Sequence, residues 1–232
     1  MGMFLRRGPA PHRTRMSDLG IGHSIKLNLN GTPWDWLVVH QGLPSSIYDA
    51  SCDGTWLLMM DIYENRVWQS GNINKYESSD IYTYLNNPFL NLFDGNIKGA
   101  IKQVKIPYRK NGGSGGTDQN GANGLLCKIF PLSGCEVGWT TSDDQYFPKD
   151  GTKLSYFESG TGTAAKNKRI ANLNGSAAIW LLRSPSTMNT AAVWHVRSDG
   201  NYKKEGAYAS GGIRPAIILP SDMLVTDDML AA

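Results

Sequence analysis

The side chains with the most specific chemistry in this sequence are its four histidines, and none stands in a catalytic spacing. The sequence lacks H-E-x-x-H, the helical pair that binds zinc in metallopeptidases. It also lacks G-x-S-x-G and S-x-x-K, which mark serine nucleophiles. A histidine and a cysteine that meet only in space stay an open alternative. The histidines are His12, His23, His40 and His195.

The three cysteines, Cys52, Cys127 and Cys135, are odd in number and form no C-x-x-C pair. We therefore expect reduced thiols rather than a disulfide framework or a thiolate metal site. The neighbours Asp143 and Asp144 could bind calcium or act as acid and base, but solvated charges are the commoner role for such a pair. The sequence thus predicts no catalytic residue, no metal site and no cofactor, in a protein that is not an enzyme.

Aromatic residues of the last third fall into two groups. Trp180 and Trp194 lie in apolar runs and are expected in the core, whereas Tyr202 and Tyr208 lie among Gly, Ser, Asn and Lys. Tyrosine in a polar loop offers a large contact area at a low entropy cost, which favours ligand recognition. If Trp194 is core, strand alternation predicts that His195 points outward.

The 232 residues include 26 glycines, 7 tryptophans and 10 tyrosines, a balance that favours short aromatic-rich strands joined by turns. Ser24–Leu29 alternates polar and apolar residues as a half-buried strand does. Asn30-Gly31 indicates a hairpin turn, with residues 34–39 as the returning strand. Residues 56–60 read as a buried strand. We expect one domain over residues 21–225.

Two helices are predicted, Asp80–Leu85 capped by Ser79 and a second over residues 96–104. The glycine-rich segment 108–124 matches no phosphate-binding fingerprint, so we expect a surface loop. In the last third, strands over residues 177–183, 191–196 and 213–219 alternate with polar loops. Such a pattern predicts an α+β scaffold of short, twisted antiparallel sheets that presents long loops.

The first 20 residues carry a basic arm, with Arg6, Arg7, Arg13 and Arg15 among two prolines. We expect this arm to be disordered or to grip a partner, and residues 226–232 to be a tail. No apolar stretch follows the basic residues, so neither a signal peptide nor a membrane-inserted segment is expected. The net charge of +3 is too small to predict nucleic acid as a partner.

Several short motifs in the last third of the sequence resemble those of an uncharacterised family from gut bacteria and their phages. They are WLLRSP at residues 180–185, AVW at 192–194, SDG at 198–200 and GIRPA at 212–216. The resemblance extends over residues 21–225. It implies a C-type lectin fold close to that of formylglycine-generating enzyme. The enzyme's paired cysteines have no counterpart after Cys135, so its activity is not expected here. The E-P-N, Q-P-D and W-N-D words of calcium-dependent lectins are also missing.

Some members of this fold resemble variable proteins of diversity-generating retroelements, whose 3′ gene ends are rewritten from a mutagenised template. The resemblance implies a variable C-terminal third, about residues 180–216, with ligand-binding side chains on one exposed face. The candidate positions are Thr187, Met188, Asn189, Thr190, Ala191, His195, Arg197, Asn201, Tyr202, Lys203, Lys204, Glu205 and Tyr208.

Not every candidate position fits that scheme. Met188, Lys203, Lys204 and Glu205 cannot arise from an AAC or AAT template codon by adenine changes alone. An ordinary prophage protein without a retroelement is therefore an alternative.

The function expected from this resemblance is non-enzymatic display and binding of a protein or glycan ligand, in a phage, prophage or bacterium. Arg197, Lys203 and Lys204 would favour an acidic or hydroxyl-rich partner. Alternatives are an enzyme of the formylglycine-generating superfamily with an altered centre, and a structural virion protein. The protein would be virion-associated, or cytoplasmic before assembly, as a monomer or a phage-type homotrimer.

Overall fold

A computed structural model describes residues 14–230, and strands dominate it. Most strands are short, as the turn-rich composition predicts. The three α-helices are α1 Asp80–Asn86, α2 Gly95–Ala100 and α3 Thr163–Arg169. The strands are β1 Ser24–Leu29, β2 Thr32–Gln41, β3 Thr55–Met59, β4 Glu64–Val67, β5 Val104–Ile106, β6 Tyr108–Lys110, β7 Thr117–Gln119, β8 Leu125–Cys127, β9 Phe130–Pro131, β10 Asn172–Leu173, β11 Ser176–Ala177, β12 Trp180–Pro185, β13 Ala192–Val196, β14 Tyr202–Gly206, β15 Ser210–Ile213 and β16 Pro215–Leu219.

The first five-stranded sheet has the order β1-β2-β3-β16-β9, with antiparallel neighbours throughout. Its first hairpin forms as predicted, because Asn30 and Gly31 take φ values of 49° and 76°. Few side chains other than Asn, Asp and Gly adopt that region readily. The predicted strand over residues 56–60 is β3, and all five of its side chains are buried.

The second five-stranded sheet has the order β14-β13-β12-β15-β4, and its strands and the loops between them carry the candidate positions. Arg214 lies where the chain leaves β15 for β16, and so joins the two sheets. Its Nε donates to the Met59 carbonyl at 2.9 Å, and its guanidinium lies 5.0 Å from the Trp180 ring. The strands and the three helices make the fold α+β, as expected, but β12 and β15 pair in parallel, which differs from the purely antiparallel sheets predicted.

One hydrophobic core runs through the described chain. Trp180 and Trp194 are fully buried, as predicted, and Ile213 and Ile218 are at most 1% exposed. Six tryptophans lose all solvent contact, which is a large apolar contribution for a chain of this length. They are Trp36, Trp56, Trp68, Trp139, Trp180 and Trp194.

Helix α1 is confirmed together with its cap, since the Ser79 hydroxyl accepts from the Tyr82 amide at 3.1 Å. Helix α2 ends at Ala100, earlier than predicted, because Val104 instead pairs with Cys127 in a small sheet. Helix α3 was not predicted. Its inward contacts come from Ala165 and Arg169, too few for an apolar period.

The glycine-rich segment differs from the expected surface loop, because β6 and β7 form a hairpin within it. Gly112 and Gly113 at its turn are buried. The expected loop over residues 197–212 likewise contains two strands, β14 and β15. A strand of sequence YKKEG escapes prediction because its charged side chains hide the alternation that marks a half-buried strand.

The boundaries expected for the arm and the tail also change. Met16 and Leu19 are buried, and the Met16 amide donates to the Met223 carbonyl at 2.9 Å. Near the other end, Met229 is buried and Leu230 forms a bridge with Ile25. Residues 14–20 and 226–230 thus pack on the domain, and the rest of the expected arm and tail lies outside the described residues. No helix between residues 14 and 230 has the length and apolar character needed to cross a bilayer.

Candidate functional site

The β13–β14 hairpin carries seven of the thirteen candidate positions, and its register fixes which side chains share a face. Trp194 lies opposite Lys204, and Val196 lies opposite Tyr202. His195 lies opposite Lys203. Because successive side chains of a strand alternate between faces, Tyr202 and Lys204 share one face, and Lys203 and Glu205 share the other.

On the first face, Tyr202 packs into an aromatic cluster. The rings of Trp194 and Phe147 stack at 3.9 Å, and Tyr202 meets both edge-on at 5.7 and 5.6 Å. Its hydroxyl donates to the Asp143 carbonyl at 2.9 Å. Tyr202 is therefore half-buried and held in place, which differs from the free loop tyrosine that the sequence suggested.

Lys204 lies on the same face of the hairpin as Tyr202. Its Nζ lies 3.1 Å from a carboxylate oxygen of Asp144 and within 4.9 Å of the Tyr146 and Trp194 ring centroids. On the other face, Lys203 forms an ion pair with Glu205. Each of the two lysines thus has a carboxylate of this chain as its ion-pair partner.

His195 does not point into solvent, and the outward orientation expected for it is wrong. The side chain is 1% exposed. The side of β13 opposite Trp194 is covered as well: Leu181 pairs with His195 on β12, and a Cβ on Gly211 would lie 3.3 Å from its Cδ2. Burial lowers the pKa of His195 to about 4, against the attraction of the Glu205 carboxylate. Strand alternation puts a residue in water only where one face of the sheet is open.

The loop between β12 and β13 holds five candidate positions. Met188 is 56% exposed and Thr190 is exposed, whereas Thr187 and Ala191 are half-buried. Asn189 is also half-buried, and its Oδ1 accepts from the amides of Ala191 and Ala192 at 2.9 and 2.7 Å. The Asn189 side chain therefore shapes the loop, and Met188 and Thr190 are the side chains most open to a ligand.

Tyr208 is the most exposed large apolar residue among residues 14–230, at 63%. The turn before it is joined to two other segments: the Ala207 amide donates to Ala191, and the Ala207 carbonyl accepts from Gln69. Val67 pairs with Ser210, and Ile73 directly precedes Asn74, whose amide donates to the Thr190 carbonyl.

Four exposed apolar side chains thus lie on three hydrogen-bonded segments, and we call them the apolar patch: Val67, Ile73, Met188 and Tyr208. Sequence reasoning did not find Val67 or Ile73. Nothing in the chain order indicates that the segment 67–74 lies beside the C-terminal loops.

Arg197 and Asn201 lie at the other end of the β13–β14 hairpin, where the Arg197 amide donates to the Asn201 carbonyl at 2.7 Å. A five-residue strand separates them from the Thr187–Ala191 loop, so Arg197 is six residue steps beyond Ala191, about 20 Å at the usual rise. Arg197 also lies 3.6 Å from Asp199. The thirteen candidate positions therefore occupy two ends and two faces of the hairpin, and the single shared face expected for them is wrong.

The thiols carry no activated nucleophile. Burial raises the pKa of Cys52 to about 12, and it raises the pKa of Cys127 and Cys135 as well. Raised thiol pKa values mean almost no thiolate at neutral pH. The Sγ atoms of Cys52 and Cys135 donate to the carbonyls of Lys105 and Pro148. These are the contacts of structural thiols.

One histidine does meet a hydroxyl. The Nδ1 of His40 lies 2.8 Å from Ser155 Oγ and also accepts from the Ser155 amide at 3.3 Å. No carboxylate of the described residues hydrogen-bonds to this ring, so the orienting group of a Ser–His–Asp triad is not part of the arrangement. The pair joins strand β2 to the loop that carries Ser155. Across residues 14–230, no three His, Cys, Asp or Glu side chains are grouped to hold a metal ion.

Comparison with curated proteins and with solved structures finds no match for this chain. A family profile does match residues 53–221, which span the second five-stranded sheet, three strands of the first and all the candidate positions. The chain belongs to the family described as domain of unknown function DUF6273.

Proposed function

We propose that this protein is a non-enzymatic recognition module that binds a partner through loops of its C-terminal third. The observation that carries the proposal is the apolar patch, which collects Met188 and Tyr208 with Val67 and Ile73 on segments tied by main-chain hydrogen bonds. Exposed apolar side chains on neighbouring segments are typical of protein interaction sites. The patch therefore favours a protein partner over a glycan.

The binding surface in this proposal differs from the one expected from sequence. His195 is excluded by its burial, and Asn189 and Tyr202 act as supports. Lys203 and Lys204 have their charges matched by Glu205 and Asp144. The partner is accordingly one that presents apolar side chains rather than an acidic one.

The finer fold and the genetic origin belong to the same proposal. The sequence motifs that contain Trp180, Trp194 and Arg214 resemble those of proteins with a C-type lectin fold. The burial of these residues fits a scaffold that carries loops of variable sequence. Of the thirteen candidate positions, all but His195 keep some solvent exposure. That exposure supports a variable protein of a diversity-generating retroelement, encoded by a phage, prophage or bacterium.

The binding proposal is tested with random peptides displayed on phage and selected against the intact protein. Enriched peptides are synthesised and titrated into the wild type and into Tyr208→Ala and Met188→Ala. Loss of a central interface side chain costs about 2 kcal/mol, a factor of about 30 in affinity. Leu126→Ala and Leu43→Ala are matched controls, because these leucines are 46% and 40% exposed on other segments. Peptides that bind Tyr208→Ala and Met188→Ala as tightly as the wild type would contradict the proposal.

The genetic part has a separate test, the DNA that flanks the gene. A reverse transcriptase gene and a near-copy of the 3′ end beside it would support the retroelement. A complete genome with neither would exclude it, and the peptide experiment would still decide the binding proposal.

A further inference from the structure

Asn74 is a buried amide that contacts the Thr187–Ala191 loop from a distant part of the chain. It is 1% exposed. Its Nδ2 lies 2.7 Å from the Ala192 carbonyl, 3.1 Å from the Asn189 carbonyl and 3.4 Å from that of Ser186. Its main-chain amide donates to the Thr190 carbonyl at 2.9 Å. One residue thus contacts four carbonyls of a single loop.

The turn of the β6–β7 hairpin contacts the same loop beside Asn74. The Gly113 amide donates to Asn74 Oδ1 at 2.9 Å, and the Ser114 amide donates to the Asn189 carbonyl at 3.0 Å. A Cβ on Gly113 would lie 2.0 Å from the Ser186 carbonyl oxygen and 2.2 Å from that of Asn189. Only glycine fits such an approach. The buried glycines of this segment therefore serve the loop.

The loop's own side chains contribute differently from one position to the next. Asn189 binds two amides within the loop, as described above. The side chains of Thr187, Met188 and Thr190 make no hydrogen bond within residues 14–230. The loop's main chain thus hydrogen-bonds to Asn74, to the Ser114 amide and to the Asn189 side chain, and not to the side chains that reach solvent.

We propose that Asn74 is the positioning residue that sets the shape of the segment 186–192 from outside it. Positions 187, 188 and 190 can then change without a change in the main chain, whereas positions 74, 113 and 189 are fixed by the loop they hold. The ligand-facing role of the loop rests on the proposed function, but its shape is measurable without any ligand.

The test compares Asn74→Asp with Asn86→Asp by hydrogen exchange and mass spectrometry on the full chain. Asn86 is a matched control, since its Nδ2 donates to Tyr82 and Ile129 and its Oδ1 accepts from Lys128 and Ile129, all far from the loop in sequence. Asp at position 74 loses the amide donors and turns a charge toward the carbonyls. We expect amide exchange in the segment 186–192 to be about tenfold faster or more in Asn74→Asp, with other segments unchanged. Asn86→Asp should leave the loop unaffected.

Two further variants keep the proposal testable if Asn74→Asp does not fold. Gly113→Ala adds a methyl group in the β6–β7 turn that clashes with the same carbonyls, and it should also speed amide exchange in the loop. Replacing Thr187, Met188 and Thr190 together by Ala should leave it unchanged. The proposal is overturned if the loop amides of Asn74→Asp and of Gly113→Ala both exchange at the wild-type rate. It is also overturned if the triple alanine variant speeds exchange in the loop as much as those two variants. A loop that stays ordered in a protein that binds no selected peptide would instead count against the proposed function alone.

Discussion

Arg183 and Glu136 form a two-pronged ion pair inside the protein. The guanidinium nitrogens lie 2.5 and 2.6 Å from the two carboxylate oxygens, and neither side chain has any solvent exposure. The remaining Arg183 donors reach the carbonyls of Pro107, Pro131 and Asp150. This single side chain therefore connects strand β12 to three other segments.

Removal of one partner should be far more harmful than the net strength of the pair suggests. Arg183→Met leaves the Glu136 carboxylate buried without its counter-charge, which costs about 3–5 kcal/mol. Urea unfolding of the purified variant measures the loss. Lys26→Met is the control, because the Lys26–Asp35 pair is 34% and 42% exposed and should contribute less than about 1 kcal/mol. Equal losses in the two variants would show that the buried pair has no special role.

Substitution of Tyr202 and of Tyr208, which the sequence assigned to the same role, should have different effects on stability. Tyr202→Ala removes a ring packed on Trp194 and Phe147 together with the hydrogen bond to Asp143, so we expect a loss of about 2–3 kcal/mol. Tyr208→Ala removes a ring that is 63% exposed and should change the free energy of unfolding by no more than about 0.5 kcal/mol. Thermal and urea unfolding of both variants check this, and a Tyr208→Ala loss as large as that of Tyr202→Ala would place Tyr208 among the supports.

The features predicted correctly from sequence are local ones. The Asn30-Gly31 turn and the Ser79 cap depend on neighbouring residues, so a short window contains the whole physical cause. The prediction for His195 failed for the opposite reason, since Gly211, which its ring approaches, lies 16 positions later in the sequence. Asn74 shows the same limit, because nothing around it in the sequence reveals the loop carbonyls that it binds. The framework tryptophans were predictable because apolar runs are buried whichever segment covers them.

The three thiols should react slowly while the protein is folded. Burial raises each thiol pKa, to about 12 for Cys52, so the reactive thiolate is scarce at neutral pH. With a chromogenic disulfide reagent at pH 7.5, we expect three rapidly titrated thiols in urea and slow modification without it. One thiol that reacts rapidly in the folded protein would indicate a nucleophilic cysteine, which the proposed function excludes.

His195 and Asp150 should give the protein two opposite pH dependences in the same range. Burial lowers the pKa of His195 from 6.5 to about 4, so the folded protein resists a proton that the unfolded chain accepts. Its contribution to stability is present above about pH 6.5 and is lost as the pH falls toward 4, by up to about 3 kcal/mol. Burial raises the pKa of Asp150 from 3.8 to about 7. Its contribution is present below about pH 4 and is lost as the pH rises toward 7, by up to about 4 kcal/mol.

Each effect is isolated by a variant that cannot titrate. Relative to the wild type, His195→Phe should gain unfolding free energy as the pH falls from 6.5 to 4, because it no longer resists a proton. Asp150→Asn should gain unfolding free energy over the wild type as the pH rises from 4 to 7, because its side chain stays neutral. In the wild type, the Ser184 hydroxyl lies 2.6 Å from Asp150 Oδ2. Urea unfolding of the three proteins at half-unit steps measures both differences. Differences that do not change with pH would mean that these two groups titrate alike in the folded and unfolded chain. Differences that change in the same direction for both variants would mean that one of the two pKa shifts has the opposite sign.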